Sequence, residues 1–290
     1  MKHVFQVGWI VVVTFTLVNC STKSEIKNTA IDNTTSGSYV LVWSDDFDLD
    51  GPPDPTKWTY ENGFVRNEEL QWYQPENAFC ENGLLVIEGR RETFPNPNHS
   101  PGSENWKENR KEAAYTSASV TTKGLHTWKY GRFEIKAKIK TQPGLWPAIW
   151  TLGADQPWPE GGEIDIMEYY DHSILANAAW AGAEPYSVIW DDTKRPMSHF
   201  GEDDWSEQFH IWRMDWDETS IKLFLDDELL NTIALSETIN KRGTVTNPFK
   251  IPHFLILNLA IGGKAGGDPS NTPFPSRYEI DYVRVYQVNN

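Results

Sequence analysis

Residues 161–169 read Gly161-Gly162-Glu163-Ile164-Asp165-Ile166-Met167-Glu168-Tyr169. Carboxylates alternate here with large aliphatic side chains, which is typical of a β-strand. On a regular strand Glu163 and Asp165 share one face, whereas Glu168 points to the other. One extra residue in a β-bulge would return Glu168 to the face of Glu163 and direct the aliphatic residues toward a core. We therefore predict a bulged strand that carries all three carboxyl groups on one face.

Three carboxyl groups on one strand face restrict the chemistry. Like charges at short range cannot all ionise, so the pKa of at least one group must rise. A retaining glycosidase needs two carboxyl groups about 5–5.5 Å apart, one ionised as nucleophile and one protonated as acid. An intervening Asp can hold the nucleophile by a hydrogen bond and keep the two pKa values apart. From the residues alone, a solvated acidic strand edge and a divalent-metal site remain alternatives.

The rest of the chain indicates an all-β fold. Short alternating runs bounded by turn residues predict antiparallel strands in a sandwich or barrel. These runs are residues 39–43, 83–88, 131–137, 174–180, 221–226, 254–260 and 278–286. Residues 39–290 show no second linker and no repeat, so we predict one domain there. The polar, Pro-containing stretch 92–112 is predicted to be a long surface loop beside a binding cleft.

Composition restricts the class of partner. The formal net charge is -15, from 26 Lys and Arg against 41 Asp and Glu. This balance excludes nucleic acid as a partner and disfavours anionic membrane surfaces and sulfated polymers. The 14 Trp residues exceed what a core of this size needs. Excess indole without excess positive charge favours a neutral polysaccharide.

The N-terminus resembles a bacterial export signal. Lys2 and His3 precede an apolar run that is too short and too polar for a stable membrane span. The run ends at Cys20 in a segment similar to a lipobox, although Asn19 departs from the usual Gly or Ala. We predict a signal peptide over residues 1–19, a lipidated Cys20, a flexible tether over residues 20–38, and a secreted or outer-surface lipoprotein of a bacterium. An ordinary cleaved signal is the alternative; a lipid would be the only membrane contact.

Residues 163–168 resemble the catalytic signature of glycoside hydrolase family 16 in its bulged form. Other stretches match the family in the same order, and together they cover nearly all of residues 40–287. They are residues 43–47, 67–73, 130–134, 144–150, 257–263 and 281–286. The resemblance implies a β-jelly-roll sandwich of two antiparallel sheets with a concave substrate cleft. It also implies Glu163 as nucleophile, Asp165 as its supporting residue and Glu168 as acid/base, with no cofactor for catalysis.

Five residues are candidates for substrate binding. Trp146 and Trp150 lie four positions apart on a predicted strand, so they face the same way and can stack on sugar rings. Asn67 falls where the family offers an Asn to substrate, although the next residue departs from the family pattern. Trp158 precedes the catalytic strand, and Trp180 lies on the strand after it. Core packing is the alternative for each Trp.

The substrate predicted from these features is a β-glucan. Laminarinase-like members of the family commonly carry a His on the strand after the catalytic one, and residues 174–180 contain none. We therefore predict an endo-acting retaining β-glucanase that hydrolyses β-1,3-glucan, mixed-linkage β-1,3-1,4-glucan, or both. The alternatives are another polysaccharide such as agarose, carrageenan or xyloglucan, glycosyl transfer, and a non-catalytic carbohydrate-binding sandwich. The presence of both Glu163 and Glu168 disfavours the last.

The resemblance also implies a structural calcium ion away from the chemistry. Its ligands would be the Asp281 carboxylate and backbone carbonyls at Asp46 and Gly83. Carboxylate and carbonyl oxygens suit calcium. The alternative is that Asp281 belongs to a polar network without an ion.

Overall fold

The structure is a computed structural model that describes residue 1 and residues 38–289, except residues 202, 203 and 245. The predicted signal peptide, the lipidation site Cys20 and nearly all of the predicted tether lie outside the described residues. None of the helices in the described part of the chain is long and apolar enough to cross a membrane.

The described chain consists almost entirely of short strands. In chain order they are β1 (Tyr39–Asp45), β2 (Thr59–Tyr60), β3 (Gln71–Tyr73), β4 (Ala78–Glu81), β5 (Leu84–Gly89), β6 (Phe94–Pro95), β7 (Glu112–Ala113), β8 (Tyr115–Ser117), β9 (Ser119–Thr121), β10 (Gly131–Lys138), β11 (Leu145–Gly153), β12 (Glu163–Tyr170), β13 (Ser173–Ala181), β14 (Val188–Asp191), β15 (Lys194–Pro196), β16 (His210–Trp216), β17 (Ser220–Leu225), β18 (Glu228–Ala234), β19 (His253–Ile261) and β20 (Ser276–Val288). Two one-turn helices are α1 (Trp106–Asn109) and α2 (Gly263–Gly266). Single 3-10 turns occupy Pro75–Asn77, Met197–His199, Trp205–Glu207 and Pro248–Lys250.

Two large antiparallel sheets form the sandwich. The first has the order β18-β17-β16-β10-β20-β5-β4, with β1 also paired to β20. The second has the order β14-β13-β12-β11-β19-β9-β2, with β15 also paired to β13. This is the predicted jelly-roll fold.

The core lies between the two sheets. On β10 every second residue is buried, which is the period of a strand with one face on a core. Phe133 and Ile135 from this strand share one apolar cluster with Ile149, Ile164 and Leu257 of the second sheet. The inner strands β13 and β19 are buried along their whole length. Both faces of these two strands are therefore shielded from bulk solvent. The outer face of the second sheet forms the floor of the cleft described below.

The long polar stretch predicted over residues 92–112 is only partly irregular. It contains the short pair β6–β7 and helix α1. Trp106 and Phe94 pack against a small apolar cluster of Phe64, Trp72 and Ala113. This layer supports the loop that leads into the cleft.

Candidate active site

The catalytic strand β12 is bulged, as predicted. Against β11, Ala148 pairs with Glu168 while Trp150 pairs with Asp165, so β12 has one residue more than its neighbour over this interval. The same irregularity appears against β13, between Asp165 and Glu168. The extra residue returns Glu168 to the face of Glu163. The intervening aliphatic residues Ile164, Ile166 and Met167 are fully buried in the core.

A glycine forms the turn that leads into this strand. Gly162 adopts a φ of +76°, a conformation that strains other residues. A Cβ atom at this position would also lie 2.7 Å from the side chain of Pro248. The turn can therefore close only with glycine, and it sets the direction in which Glu163 leaves the loop.

Glu163 and Glu168 both line one cleft of about 750 Å³ on the outer face of the second sheet. Cross-strand neighbours define two rows across the floor. Glu163 lies beside Leu152 of β11 and Ala179 of β13. Glu168 lies beside Ala148 of β11 and Leu175 of β13.

Asp165 is buried beside Glu163 and hydrogen-bonds it. Burial and the charges of the two glutamates raise the pKa of Asp165 well above its ordinary value. Burial also raises the pKa of Glu163, but hydrogen bonds from Asp165 and Trp158 and the charge of Arg66 oppose that rise. The pKa of Asp165 is raised more strongly than that of Glu163, so a proton shared by the two carboxyl groups favours Asp165.

Glu168 is suited to donate a proton. Burial, followed by the charge of Glu163, raises the pKa of Glu168 to about 7. Trp146 donates a hydrogen bond from Nε1 to Glu168 Oε1 at 2.9 Å and limits this rise. Asn177 donates from Nδ2 to Oε2 at 3.4 Å. The cleft therefore presents one carboxylate ready to attack and one carboxylic acid ready to donate a proton.

Four of the five predicted substrate residues line the cleft, namely Asn67, Trp146, Trp150 and Trp158. The indole of Trp158 is 46% exposed and free to meet a sugar ring. Trp150 is almost fully buried. The Arg66 guanidinium lies over the Trp150 ring, 4.8 Å from the ring centroid, and the indole Nε1 of Trp150 donates a hydrogen bond to Asn258. The face of the Trp150 ring is therefore occupied by a cation of the protein.

The prediction that Trp180 binds substrate is wrong. Its side chain is only 6% exposed and belongs to the core between the sheets, where it packs edge-on against Phe249. On β13 the cleft face carries Leu175 and Asn177, so the even-numbered Trp180 points inward.

The loop before β3 brings Asn67 to the cleft. Asn67 and Glu68 both have positive φ angles, 55° and 52°, which gives a tight turn. Arg110 from the stretch after α1 donates hydrogen bonds to the carbonyl oxygens of Glu68 and Glu69. Glu68 itself pairs with Lys264 at 3.2 Å and does not line the cleft.

Sequence reasoning missed several cleft residues. They include Arg66, Tyr170, Asn177, Trp190 and Asn258. Tyr170 packs edge-on against Trp146, and Trp190 on β14 is 44% exposed at the end of the Glu163 row. Asn177 lies in the apolar run of β13, which gives no phase from sequence, and Trp190 belongs to a short strand that the alternation pattern does not reveal.

The three predicted calcium positions converge on one gap along β20. On the same edge of this strand, β5 pairs as far as Ile280 and β1 begins at Val283. Asp281 lies between these points, Asp46 directly follows β1, and Gly83 directly precedes β5. The positions fit the predicted set of one carboxylate and two carbonyls. No cluster of three His, Cys, Asp or Glu side chains suited to a metal occurs in the described part of the chain.

Comparison with known proteins assigns a family to this arrangement. Residues 102–284 match the family model described as glycosyl hydrolases family 16. A similar protein is the β-glucanase of Rhodothermus marinus, 36% identical over 271 residues that cover 86% of this chain and 85% of that protein.

Two solved structures extend the comparison. The laminarinase (endo-1,3-β-glucanase) catalytic domain of Thermotoga petrophila RKU-1 is 38% identical, with a TM-score of 0.71 covering 88% of this chain and all, 100%, of that one. A chain from work on endo-acting O-glycanases, which prominent members of the human gut microbiota express to initiate mucin breakdown, is 36% identical. Its TM-score is 0.78, covering 88% of this chain and 93% of that one.

Proposed function

Because the chain belongs to glycosyl hydrolase family 16, we propose that it is an endo-acting β-glucanase that hydrolyses β-1,3- or mixed-linkage β-1,3-1,4-glucan with retention of configuration. The observation that carries the proposal is the bulged strand β12, which presents an ionised Glu163 and a protonated Glu168 to one cleft. That pair is what a retaining glycosidase needs.

In the first step Glu163 attacks the anomeric carbon of the bound sugar. The glycosidic C–O bond breaks, and Glu168 gives its proton to the departing oxygen. A covalent glycosyl ester on Glu163 results, with inverted configuration. Asp165 holds Glu163 in position by a hydrogen bond while the ester forms.

In the second step Glu168, now ionised, takes a proton from water. The water oxygen attacks the anomeric carbon, the ester bond to Glu163 breaks, and the second inversion restores the β configuration. Trp146 donates to Glu168 throughout and stabilises its ionised form between the two steps.

The lining of the cleft supports a neutral substrate. Trp158 and Trp190 are both partly exposed there, and indole faces stack on the apolar faces of sugar rings. The cation Lys194 also lines the cleft, but it is paired with Asp171 at 2.7 Å. The β-glucanase and laminarinase relatives agree with a glucan.

Replacing Glu163 by Gln tests the proposal. We expect Glu163→Gln to lose at least ~10³-fold in kcat on laminarin or barley glucan while it still binds the polymer, because only a transition-state interaction is removed. Proton NMR of the first wild-type products should show the β-anomer. Near wild-type turnover of Glu163→Gln, or an early α-anomer, would contradict the mechanism.

A second candidate substrate is the O-glycan of mucin. It is favoured by the TM-score of 0.78 to the structure from the O-glycanase study. A panel of laminarin, barley glucan, agarose, carrageenan and mucin O-glycans decides between them. Release of oligosaccharides from mucin alone would replace the glucan while leaving the two-step mechanism intact.

We also propose that Cys20 is lipidated and holds the enzyme on the outer surface of a bacterium. The support is the lipobox-like segment that ends at this residue. Mass spectrometry of the mature N-terminus tests it: a diacylglyceryl group on Cys20 is expected. A water-soluble protein that begins after a different cleavage site would contradict it.

A calcium ion at the β20 gap is a further proposal. The positions of Asp281, Asp46 and Gly83 support it. Lys136 competes, because its Nζ lies 2.6 Å from Asp281 Oδ2, while the side chain of Asp46 pairs with Arg284 at 2.6 Å. An ion that binds only the folded state raises its stability, so a chelator should lower the Tm and added calcium should restore it. A Tm indifferent to both would leave Lys136 as the partner of Asp281.

A further inference from the structure

Arg66 enters the cleft from the loop before β3 and is held there by two contacts. Its Nη2 hydrogen-bonds Glu61, whose Oε2 also accepts a hydrogen bond of 2.6 Å from Ser119. Its guanidinium lies over the ring of Trp150, 4.8 Å from the centroid. Trp150 is the direct cross-strand neighbour of Asp165 on β12. The cation is therefore fixed beside the middle of the catalytic strand.

An ion pair with Glu61 accounts for only part of this arrangement. Within the described chain, the buried Nη1 of Arg66 has no hydrogen-bond partner. A buried donor without a partner loses its hydration without compensation. Arg66 lines the cleft together with Glu163, so its charge acts inside the cleft.

The groups that face this cation are mostly acidic. Glu61, Glu69 and Tyr73 surround Arg66 from the loop and β3. Glu163 faces Arg66 from β12, while its own neighbours on β11 and β13 are the uncharged Leu152 and Ala179. The other cleft cation, Lys194, is the neighbour of Leu175 and so lies on the Glu168 row. Arg66 is the cation whose charge bears on Glu163 in the described cleft.

We propose that Arg66 is a positioning residue for Glu163: a cation fixed on Trp150 by Glu61 that keeps the attacking carboxylate charged while Glu168 beside it holds its proton. The inference rests on the proposed function, since it assigns Arg66 a part in the same hydrolysis. The charge of Arg66 lowers the pKa of Glu163, against the effect of burial, which agrees with this role. Without Arg66, the three carboxyl groups of β12, Glu163, Asp165 and Glu168, would share one strand face, and the remaining cation of the described cleft, Lys194, is paired with Asp171.

The test is the pH dependence of kcat/KM for Arg66→Met, Arg66→Lys and a matched control, Arg284→Met. Arg284 also pairs with a carboxylate, Asp46, and stacks on an aromatic ring, Tyr282 at 3.9 Å, but it lies on β20 of the other sheet. The acid limb of kcat/KM reports ionisation of the Glu163–Asp165 pair in the free enzyme. Removing a nearby cation raises the pKa of that pair, so the acid limb of Arg66→Met should move about 0.5–1 unit to higher pH.

Arg66→Lys should bring the limb back toward its wild-type position, and Arg284→Met should leave it unchanged. If Arg66→Met does not fold, Arg66→Gln replaces it as the neutral variant. A neutral variant that loses activity equally at every pH, or only lowers the Tm, would show a structural role and overturn the inference. Failure of the proposed function is seen separately, as turnover retained by Glu163→Gln.

Discussion

Single hydrogen bonds favour the ionised form of both glutamates of the cleft, against the effect of burial. Glu163 is held by Asp165 and Trp158, which favour its ionised form. Burial raises the pKa of Glu168 to about 7, and Trp146 and Asn177 limit the rise. A general acid must be protonated to act, so the basic limb of kcat/KM is expected near pH 7.

Replacing Trp146 by Phe should move that basic limb to higher pH. The donor to Glu168 is lost while an aromatic ring remains, so the ionised form of Glu168 is less stable and its pKa rises further. A shift of about one pH unit is expected from the loss of one hydrogen bond to a charged group. Trp190→Phe is the control, because Trp190 lines the same cleft on the Glu163 row. If the basic limb of kcat/KM stays in place in both variants, Trp146 does not control the pKa of Glu168.

Replacing Glu168 by Gln should affect substrates unequally. Polysaccharide hydrolysis needs a proton on the departing oxygen, whereas an aryl glycoside with a good leaving group does not. We expect a loss of about 10²–10⁴-fold in kcat/KM on glucan and a much smaller loss on the aryl substrate. Equal losses on both would show that Glu168 is not the acid.

At the scale of one element, the bulge of β12 allows this sequence to form the site. Without the bulge, the same residues would alternate regularly from Glu163 to Tyr170 and Glu168 would face the core. With it, both glutamates reach the cleft while Ile164, Ile166 and Met167 remain buried. The bulge therefore lets one strand contribute aliphatic residues to the core and two glutamates to the cleft.

Deleting Met167 should preserve hydrolysis. The deletion removes the bulge and the extra residue together, so regular alternation of Glu-Ile-Asp-Ile-Glu keeps both glutamates on the cleft face and Glu168 opposite Ala148 and Leu175. Met167→Leu, a volume-conserving change, should also keep activity and lose less than ~1.5 kcal/mol of unfolding free energy. Activity and thermal unfolding of the two variants check this. Loss of hydrolysis by a deletion variant that unfolds at the wild-type Tm would mean that the bulge itself sets the spacing of the two glutamates.

The same strand shows why part of the site was predictable from sequence. The spacing between Glu163 and Glu168 fits one face only with an added residue, and aliphatic residues between carboxylates identify the buried face. The alternation of β10 was equally readable. Such local alternation is visible in the sequence because one face of each strand packs on the core and the other does not.

Other parts could not be read from local patterns. β13 is buried on both faces, so its apolar run gives no phase, and Trp180 was placed on the wrong side. Arg66 reaches the cleft only because a loop far from β12 in sequence folds over Trp150. Trp190 joins the Glu163 row through pairing of β13 with β14, a tertiary relation that one sequence does not contain.

For the molecule as a whole, the cleft carboxyl groups oppose stability at neutral pH. Burial raises the pKa of Glu163, Asp165 and Glu168, so the folded state binds protons more tightly than the unfolded state. Their contribution to stability is complete below their ordinary pKa values and is lost as the pH rises through the folded values. A site arranged for catalysis thus lowers the free energy of unfolding under the conditions where it acts.

Replacing Asp165 by Asn should therefore raise the Tm at pH 8 and do so less at pH 4. The amide cannot ionise, so the variant escapes the loss that the wild type suffers as the pH rises, and each kcal/mol gained corresponds to about 2–4 °C in a domain of this size. Asp217→Asn is the control, because its expected change in Tm at pH 8 has the opposite sign. Burial raises the pKa of Asp217, but hydrogen bonds from Thr219 and Ser220 outweigh it and lower the pKa, so its ionised form stabilises the fold above its ordinary pKa. Thermal unfolding of both variants at the two pH values is the measurement. An Asp165→Asn protein less stable than wild type at pH 8 would show that the Asp165–Glu163 hydrogen bond stabilises the fold more than burial of the carboxyl groups destabilises it.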